Sequence, residues 1–165
     1  MNARPYLPLV LSALFVALVC GTTLFCIGLP GAGYVHLGDA MILLAALMLP
    51  WSWAGAAAGV GSAMADLFLG YSIYAPGTLL IKAGMAIVAS LLLRRAVTLP
   101  RLLLAALLGG LLLVGGYFAY DLIFFREFAL ADLPGNALQA LAGQTIGTVA
   151  CWFVNRLRLK EKFFK

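Results

Sequence analysis

Apolar runs long enough to cross a bilayer recur along this chain and leave little sequence for anything else. A spanning helix needs about 20 predominantly apolar residues, with a range of about 17–25. Segments 8–29, 75–93, 101–125 and 134–155 meet that length directly. The stretch 39–70 is too long for one helix and short for two, and Pro50 interrupts it just ahead of Trp51 and Trp53. Proline removes a backbone donor and breaks helices, while tryptophan favours the membrane interface. This stretch therefore reads as two short, tilted helices, 39–49 and 53–70. The expected fold class is an all-α integral membrane protein: one domain over residues 1–165, a bundle of six transmembrane helices in the lipid bilayer. Charged residues make up 10% of the chain, against about 25% in soluble domains, too few to cover it in water.

The basic residues give the orientation. With six spans, the segments on one side hold Arg4, Arg94, Arg95, Arg101, Arg156, Arg158, Lys160, Lys162 and Lys165, nine of the eleven basic residues. By the positive-inside rule that side is the cytoplasm, so both termini are expected there. Arg126 falls in an outer loop and Lys82 within a span. Five spans would put the termini on opposite sides and set the Arg94/Arg95/Arg101 cluster against one of them. The net charge of +5 thus belongs to the ends of membrane spans, and no nucleic-acid partner is expected. The run 7–29 behind Arg4 exceeds the roughly 7–15 residues of a signal-peptide core and lacks a small-x-small cleavage site, so it reads as the first helix.

An ionisable residue at the bilayer centre costs at least about 2.5–3.5 kcal/mol, and four such residues need a reason. At about 1.5 Å per residue, Asp39 opens the second helix at its outer end, Asp66 lies about 6 Å below the outer end of the third, Lys82 about 10 Å below the outer start of the fourth, and Asp121 about 6 Å below the outer end of the fifth. Four helices thus place charge in one outer layer, and the inner half of every span reads as apolar. That fits a site open to the outside and closed below rather than an ion path through the full depth. Each residue also has a purely structural explanation. Asp39 complements a helix dipole, Asp66 and Lys82 can form an ion pair without a ligand, and Asp121 can reach toward water.

Around this layer stand Tyr34, Tyr71, Tyr74, Tyr117 and Tyr120, and aromatic walls with a few placed polar groups are the usual lining of a small-molecule pocket. Pro134 is suited to the first turn of the sixth helix. Asn136 and Gln139, three apart, share a face at the same depth, where they contact ligand or satisfy nearby backbone. His36, the single histidine, lies in the outer loop 30–38. Alone it makes a poor metal site, so a hydrogen-bonding or packing role is expected and no metal. The other outer loops are 71–74 and 126–133, the latter holding Glu127 and Asp132.

Small residues let membrane helices approach closely. The first helix carries Ala13-x-x-x-Ala17 followed by Gly21, and the third carries Gly55-x-x-x-Gly59 and Ala57-x-x-x-Gly61-x-x-x-Ala65. Internal packing is the expected use of the stripe on the third. Cys20, Cys26 and Cys151 lie in apolar segments without metal-ligand spacing and read as small core residues. No Ser/His/Asp grouping, Walker loop or HExxH is present. The chain is therefore not expected to be an enzyme or to need a cofactor, and any uphill transport must draw its energy from another protein.

Four spaced motifs are similar to those of one family: Gly33-Tyr-Val-His-Leu-Gly-Asp-Ala40; Gly61-Ser-Ala-Met-Ala-Asp-Leu67 with Gly70-Tyr71; Tyr74-Ala-Pro-Gly-Thr78 leading to Lys82; and Pro134-Gly-Asn-Ala-Leu-Gln139. Together they resemble the substrate-binding S components of energy-coupling factor (ECF) vitamin transporters over nearly the whole chain. The similarity is closest to the branch labelled riboflavin-type, which also includes proteins assigned to hydroxymethylpyrimidine and pyridoxine, and within it the motifs look closer to the members with smaller rings. The resemblance implies a six-helix bundle in the bacterial cytoplasmic membrane that captures a vitamin near the outer face. It implies association with a transmembrane coupling protein and two cytoplasmic ATPases, forming an ABC importer, and toppling in the membrane to release cargo. In the family an Ala-x-x-x-Ala motif on the first helix contacts the coupling protein, which here matches Ala13 and Ala17.

The expected function is vitamin capture, with pyridoxine or hydroxymethylpyrimidine favoured and riboflavin possible. The substrate-binding residues expected are Tyr34, His36, Asp39, Asp66, Tyr71, Tyr74, Lys82, Tyr117, Asp121, Asn136 and Gln139. Two rivals differ in class. A self-sufficient channel or carrier would transport without ATPase partners, and a purely structural membrane subunit would bind no small molecule.

Overall fold

The computed structural model describes residues 6–28 and 34–157, Tyr34 by its backbone alone. Arg4, Arg158, Lys160, Lys162, Lys165 and the side chain of Tyr34 lie outside the described residues. The helices are α1 (Leu7–Leu24), α2 (Gly38–Met48), α3 (Trp51–Leu69), α4 (Ala75–Leu93), α5 (Leu99–Phe124) and α6 (Ala129–Arg156). Between α1 and α2 the two-residue strands β1 (Ile27–Gly28) and β2 (Tyr34–Val35) pair antiparallel, Ile27 opposite Val35 and Gly28 opposite Tyr34. Among the described residues, α1, α4, α5 and α6 are long and apolar enough to cross a membrane.

The chain is thus an all-α membrane protein of six helices, as its apolar runs require, and α4 keeps the expected limits. α2 is a different kind of element from the spans. Its 11 residues extend about 16 Å, roughly half the ~30 Å hydrocarbon core. It packs on α1, α3, α4 and α6, and nearly all of its residues are buried. A helix apolar all round needs such an enclosure. Its end is set by Pro50. Leu49 turns extended, at ψ 154°, the conformation favoured before proline. The Leu49 carbonyl accepts from Ser90 Oγ of α4 at 3.1 Å.

Two boundaries differ from expectation by more than two residues. The first apolar run does not stay helical to residue 29: α1 stops at Leu24 and the chain continues into β1. A short apolar run carries no period that separates helix from strand. Pro134 does not open α6 but lies inside it, a turn and a half past Ala129. Most of the expected outer loop 126–133 is therefore helical, and the proline costs one backbone bond near the helix start.

Small residues set the spacing of the bundle. A side chain at Gly59 would press on the Leu79 carbonyl of α4 at 2.7 Å, and one at Gly61 on the Val16 carbonyl of α1 at 2.8 Å. The small-residue pattern of α3 therefore serves internal packing, as expected. On α6, a methyl at Gly143 would stand 2.6 Å from Asp39 Cβ, so α6 comes right up to the start of α2. Cys20 and Cys151 are buried, Cys26 is half-buried, and all three are free.

The helix ends fall into two layers. Asp39, Lys82 and Gln139 join the starts of α2, α4 and α6 at one end. At the other, Asn155 Nδ2 donates to the Val97 carbonyl between α4 and α5, and Arg156 lies 4.7 Å from the Trp152 ring. Arg94, Arg95 and Arg101 belong to this basic end. The inner half is not wholly apolar: Ser90, Gln144 and Thr148 are buried there, uncharged, between packed helices.

Candidate functional site

Asp39 lies in the first turn of α2 and is completely buried. Its side chain makes no cap bond to its own helix. Oδ1 accepts from Lys82 Nζ at 2.5 Å, and Oδ2 accepts from Gln139 Nε2 at 2.7 Å. Lys82 is 2% exposed, deep enough that a charged ammonium requires such a partner. Its ion pair is with Asp39 and not, as the sequence suggested, with Asp66. The Lys82 ammonium also lies 5.6 Å from the centre of the Tyr117 ring, within range of a cation–π contact.

Gln139 carries this network to the β2–α2 connection. Its Oε1 accepts from the His36 backbone N–H at 2.8 Å and its Nε2 donates to the His36 carbonyl at 3.1 Å. His36 Nδ1 accepts from the Gly38 N–H at 2.9 Å, which leaves the ring proton on Nε2 and the imidazole neutral. Burial drives the His36 pKa down from 6.5 to about 4, with Asp39 opposing and Lys82 adding to the shift. Gly38 has no substitute here, because a β-carbon would strike the Thr23 hydroxyl and stand 2.7 Å from His36 Nδ1.

Above this floor opens a cavity of about 300 Å³. The ends of α3 and α5 supply Asp66 and Asp121. α3 closes on Gly70 at φ +84°, the left-handed cap that glycine adopts without strain, and the chain then turns through Tyr71 and Tyr74. At the rim, Tyr74 Oη donates to Asp121 Oδ1 at 3.0 Å. Asp121 is 1% exposed, and its Oδ2 is buried without a hydrogen-bond partner. Lower on the wall the hydroxyls of Thr78 and Tyr117 bond each other at 2.9 Å.

His36, Asp66, Tyr71, Tyr74, Lys82, Tyr117, Asp121, Asn136 and Gln139, all expected from the sequence, line this one cavity. Asp39 does not; it sits behind the wall as the partner of Lys82 and Gln139. Tyr120 also stands apart. It donates to the Ile73 carbonyl at 2.6 Å and packs over Gly77, holding α5 to α4. Two lining residues were not anticipated, Thr78 and Asp132. Thr78 lies four residues before Lys82, hence on the same helical face, and that spacing was a usable signal. Asp132 bears the same relation to Asn136, but only once 129–133 is known to be helical. Among the described residues no group of His, Cys, Asp and Glu could hold a metal ion.

The geometry provides an enclosed space with an apolar-aromatic wall, a charge-paired floor and carboxylates near the mouth. A family model described as "ECF-type riboflavin transporter, S component" matches residues 7–156. The chain is also similar to a protein of Pyrococcus woesei described as "Uncharacterized protein in gap 3'region". The two are 34% identical over 133 residues, covering 79% of this chain and 89% of the relative.

Proposed function

Because the chain belongs to the family of S components of ECF-type riboflavin transporters, we propose that it captures a small water-soluble vitamin or precursor of pyridoxine or hydroxymethylpyrimidine size in the cavity beneath Tyr74. The family is one of transporter components, and its substrate-binding subunits serve importers of vitamins. In this reading the cavity faces outward and the basic end of the bundle faces the cytoplasm, following the positive-inside rule. The membrane is the bacterial plasma membrane. The ligand rests on Lys82 and Gln139, meets Asp66, Asp121 and Asn136 at the sides, and stacks on tyrosines. Riboflavin remains the larger alternative.

The observation that carries the reading is one cavity, of about 300 Å³, shared by polar groups from four helices and the β2–α2 connection. That volume stands at the foot of the roughly 300–1,000 Å³ range of small-molecule sites, which favours one ring over three. A thermal-shift screen of the detergent-purified chain tests it, using pyridoxine, pyridoxal, hydroxymethylpyrimidine, riboflavin, thiamine, niacin and pantothenate. A tight ligand at a hundred times its dissociation constant stabilises by about 2.7 kcal/mol, and one strong shift is expected. Transport by the chain alone in liposomes would instead make it a self-sufficient carrier.

The proposed partners are a transmembrane coupling protein and two cytoplasmic ATPases. Ala13 and Ala17 lie four apart on α1 and are both exposed, a flat strip on which another helix can approach closely. Replacing both with leucine is expected to leave ligand binding intact while abolishing uptake and co-purification with the coupling protein. Normal uptake by the double variant would remove this interface.

A further inference from the structure

The polarity of the cavity walls narrows the cargo, an inference that rests on the capture reading above. Asp66, Asp121, Asp132 and Lys82 are the Asp and Lys side chains on the lining. Lys82 brings no net positive charge to a ligand, because the Asp39 carboxylate behind the wall already neutralises it. His36 brings none either, since its Nδ1 accepts the Gly38 N–H. Among the described residues, the lining thus presents three carboxylates and one cation, and that cation is held by Asp39.

Several of its hydrogen-bond donors are committed as well. The Gln139 amide serves Asp39 and the His36 carbonyl, one of the Thr78 and Tyr117 hydroxyls donates to the other, and the Tyr74 hydroxyl is given to Asp121. Against this stands Asp121 Oδ2, a carboxylate oxygen on a 1% exposed side chain that has no donor. A buried acceptor left without a donor is costly, and a ligand N–H placed there would recover that cost. A ligand phosphate or carboxylate would meet like charge where solvent screens it poorly.

We infer that the cavity selects a ring carrying an amino or ammonium group, received by Asp121 Oδ2, and turns away the phosphate and carboxylate forms of the same ring. Two matched series test this on the full chain purified in detergent, by titration and thermal shift. The first is pyridoxamine, pyridoxine and 4-pyridoxate, which carry an aminomethyl, a hydroxymethyl or a carboxylate group at the same ring position. The second is 4-amino-5-hydroxymethyl-2-methylpyrimidine, its 4-hydroxy counterpart and its phosphate ester.

In at least one series the amine is expected to bind at least tenfold tighter than the hydroxyl form, with no saturable binding of the anion. Asp121→Asn is expected to bring the amine-to-hydroxyl ratio close to one while the hydroxyl form still binds. Asp132→Asn, nearer the mouth, is expected to lower the same ratio by a smaller factor and serves if the first variant does not fold. Equal affinity of amine and hydroxyl forms in both series, or tighter binding of an anion, overturns the inference. Binding of riboflavin with no member of either series overturns it too, yet leaves the capture reading standing. A folded sample that no probe stabilises, riboflavin included, counts against both.

Discussion

The floor and the rim of the cavity each hold a buried aspartate, and the two are treated in opposite ways. Asp39 has both oxygens occupied, by Lys82 and Gln139, and Gln139 in turn holds both backbone groups of His36. Asp121 has one oxygen on Tyr74 and the other without a donor. Asp39 opens α2, the most enclosed helix, whereas Asp121 sits near the end of α5, which is largely exposed to its surroundings. A fully connected buried network fixes geometry, while an unsatisfied buried atom asks for a reason. On the proposed reading the floor is first of all scaffold, and the rim is where a ligand's own donors are received. Lys82 touches both roles, but its commitment to Asp39 makes it first a structural residue.

The sharpest way to break that contrast is Lys82→Met. It strands the Asp39 carboxylate in a dry site, and removing one partner of a buried pair costs about 3–5 kcal/mol. A large loss of stability in denaturant unfolding of the detergent-solubilised chain is expected, along with lost ligand binding. The double variant Asp39→Asn/Lys82→Met removes both charges and is expected to recover most of the stability but not the binding. If Lys82→Met unfolds like the unaltered chain, the floor is not held by this pair and Lys82 belongs with the rim.

Much of this was legible in the sequence, and the reasons differ from element to element. The spans follow from apolar length, which the bilayer itself enforces, so α4 matched at both ends. Charges inside those spans were few and costly, which drew attention to Lys82, Asp66 and Asp121 before their neighbours were known. The pairing of Lys82 was not legible, because depth along a helix does not say which way a side chain faces around it. Asp39 and Asp66 both stand at the right level, and the packing of α2 between α4 and α6 sets Asp39 beside Lys82 and Gln139. Tyr120, one of the tyrosines at the depth of the charged layer, likewise turns to the Ile73 carbonyl and Gly77 rather than to the cavity. Asp132 is harder to find because Pro134 marks a helix start in the sequence, although the Ala129-Leu-Ala-Asp132 turn ahead of it is made of good helix formers with an acid in the first turn.

A medium effect comes from protonation of the floor. Burial holds His36 at a pKa of about 4 against 6.5 for an exposed histidine. Between those values the unfolded chain binds a proton that the folded chain refuses, so stability is complete above about pH 6.5 and falls as pH drops toward 4. At about 1.36 kcal/mol per pKa unit the full loss is on the order of 3 kcal/mol. Below about pH 4 the folded histidine is charged too and this dependence ends. Unfolding at pH 7.5, 6 and 5 is expected to show the loss in the unaltered chain and a much flatter profile in His36→Asn, whose amide oxygen can still accept the Gly38 N–H. Identical slopes in the two chains would mean that other groups cause the acid sensitivity and that His36 is not fixed neutral in the floor.

The smallest expected effect is the one most specific to the rim. Asp121→Asn keeps the shape and the bond from Tyr74, and it replaces an oxygen that no protein donor serves with an amide that carries its own protons. Because the floor does not depend on Asp121, stability is expected to change by less than about 1 kcal/mol, the range of substitutions that break no buried network. Tyr74→Phe, which removes the hydroxyl bonded to Asp121 Oδ1, is expected to cost about 1 kcal/mol and to leave the aromatic stack with Phe125, at 5.3 Å, in place. Melting curves of both variants without ligand, set beside Lys82→Met, measure the contrast directly. If Asp121→Asn proves as damaging as Lys82→Met, then Asp121 is bound into the scaffold after all. In that case the division between a satisfied floor and a waiting rim is wrong.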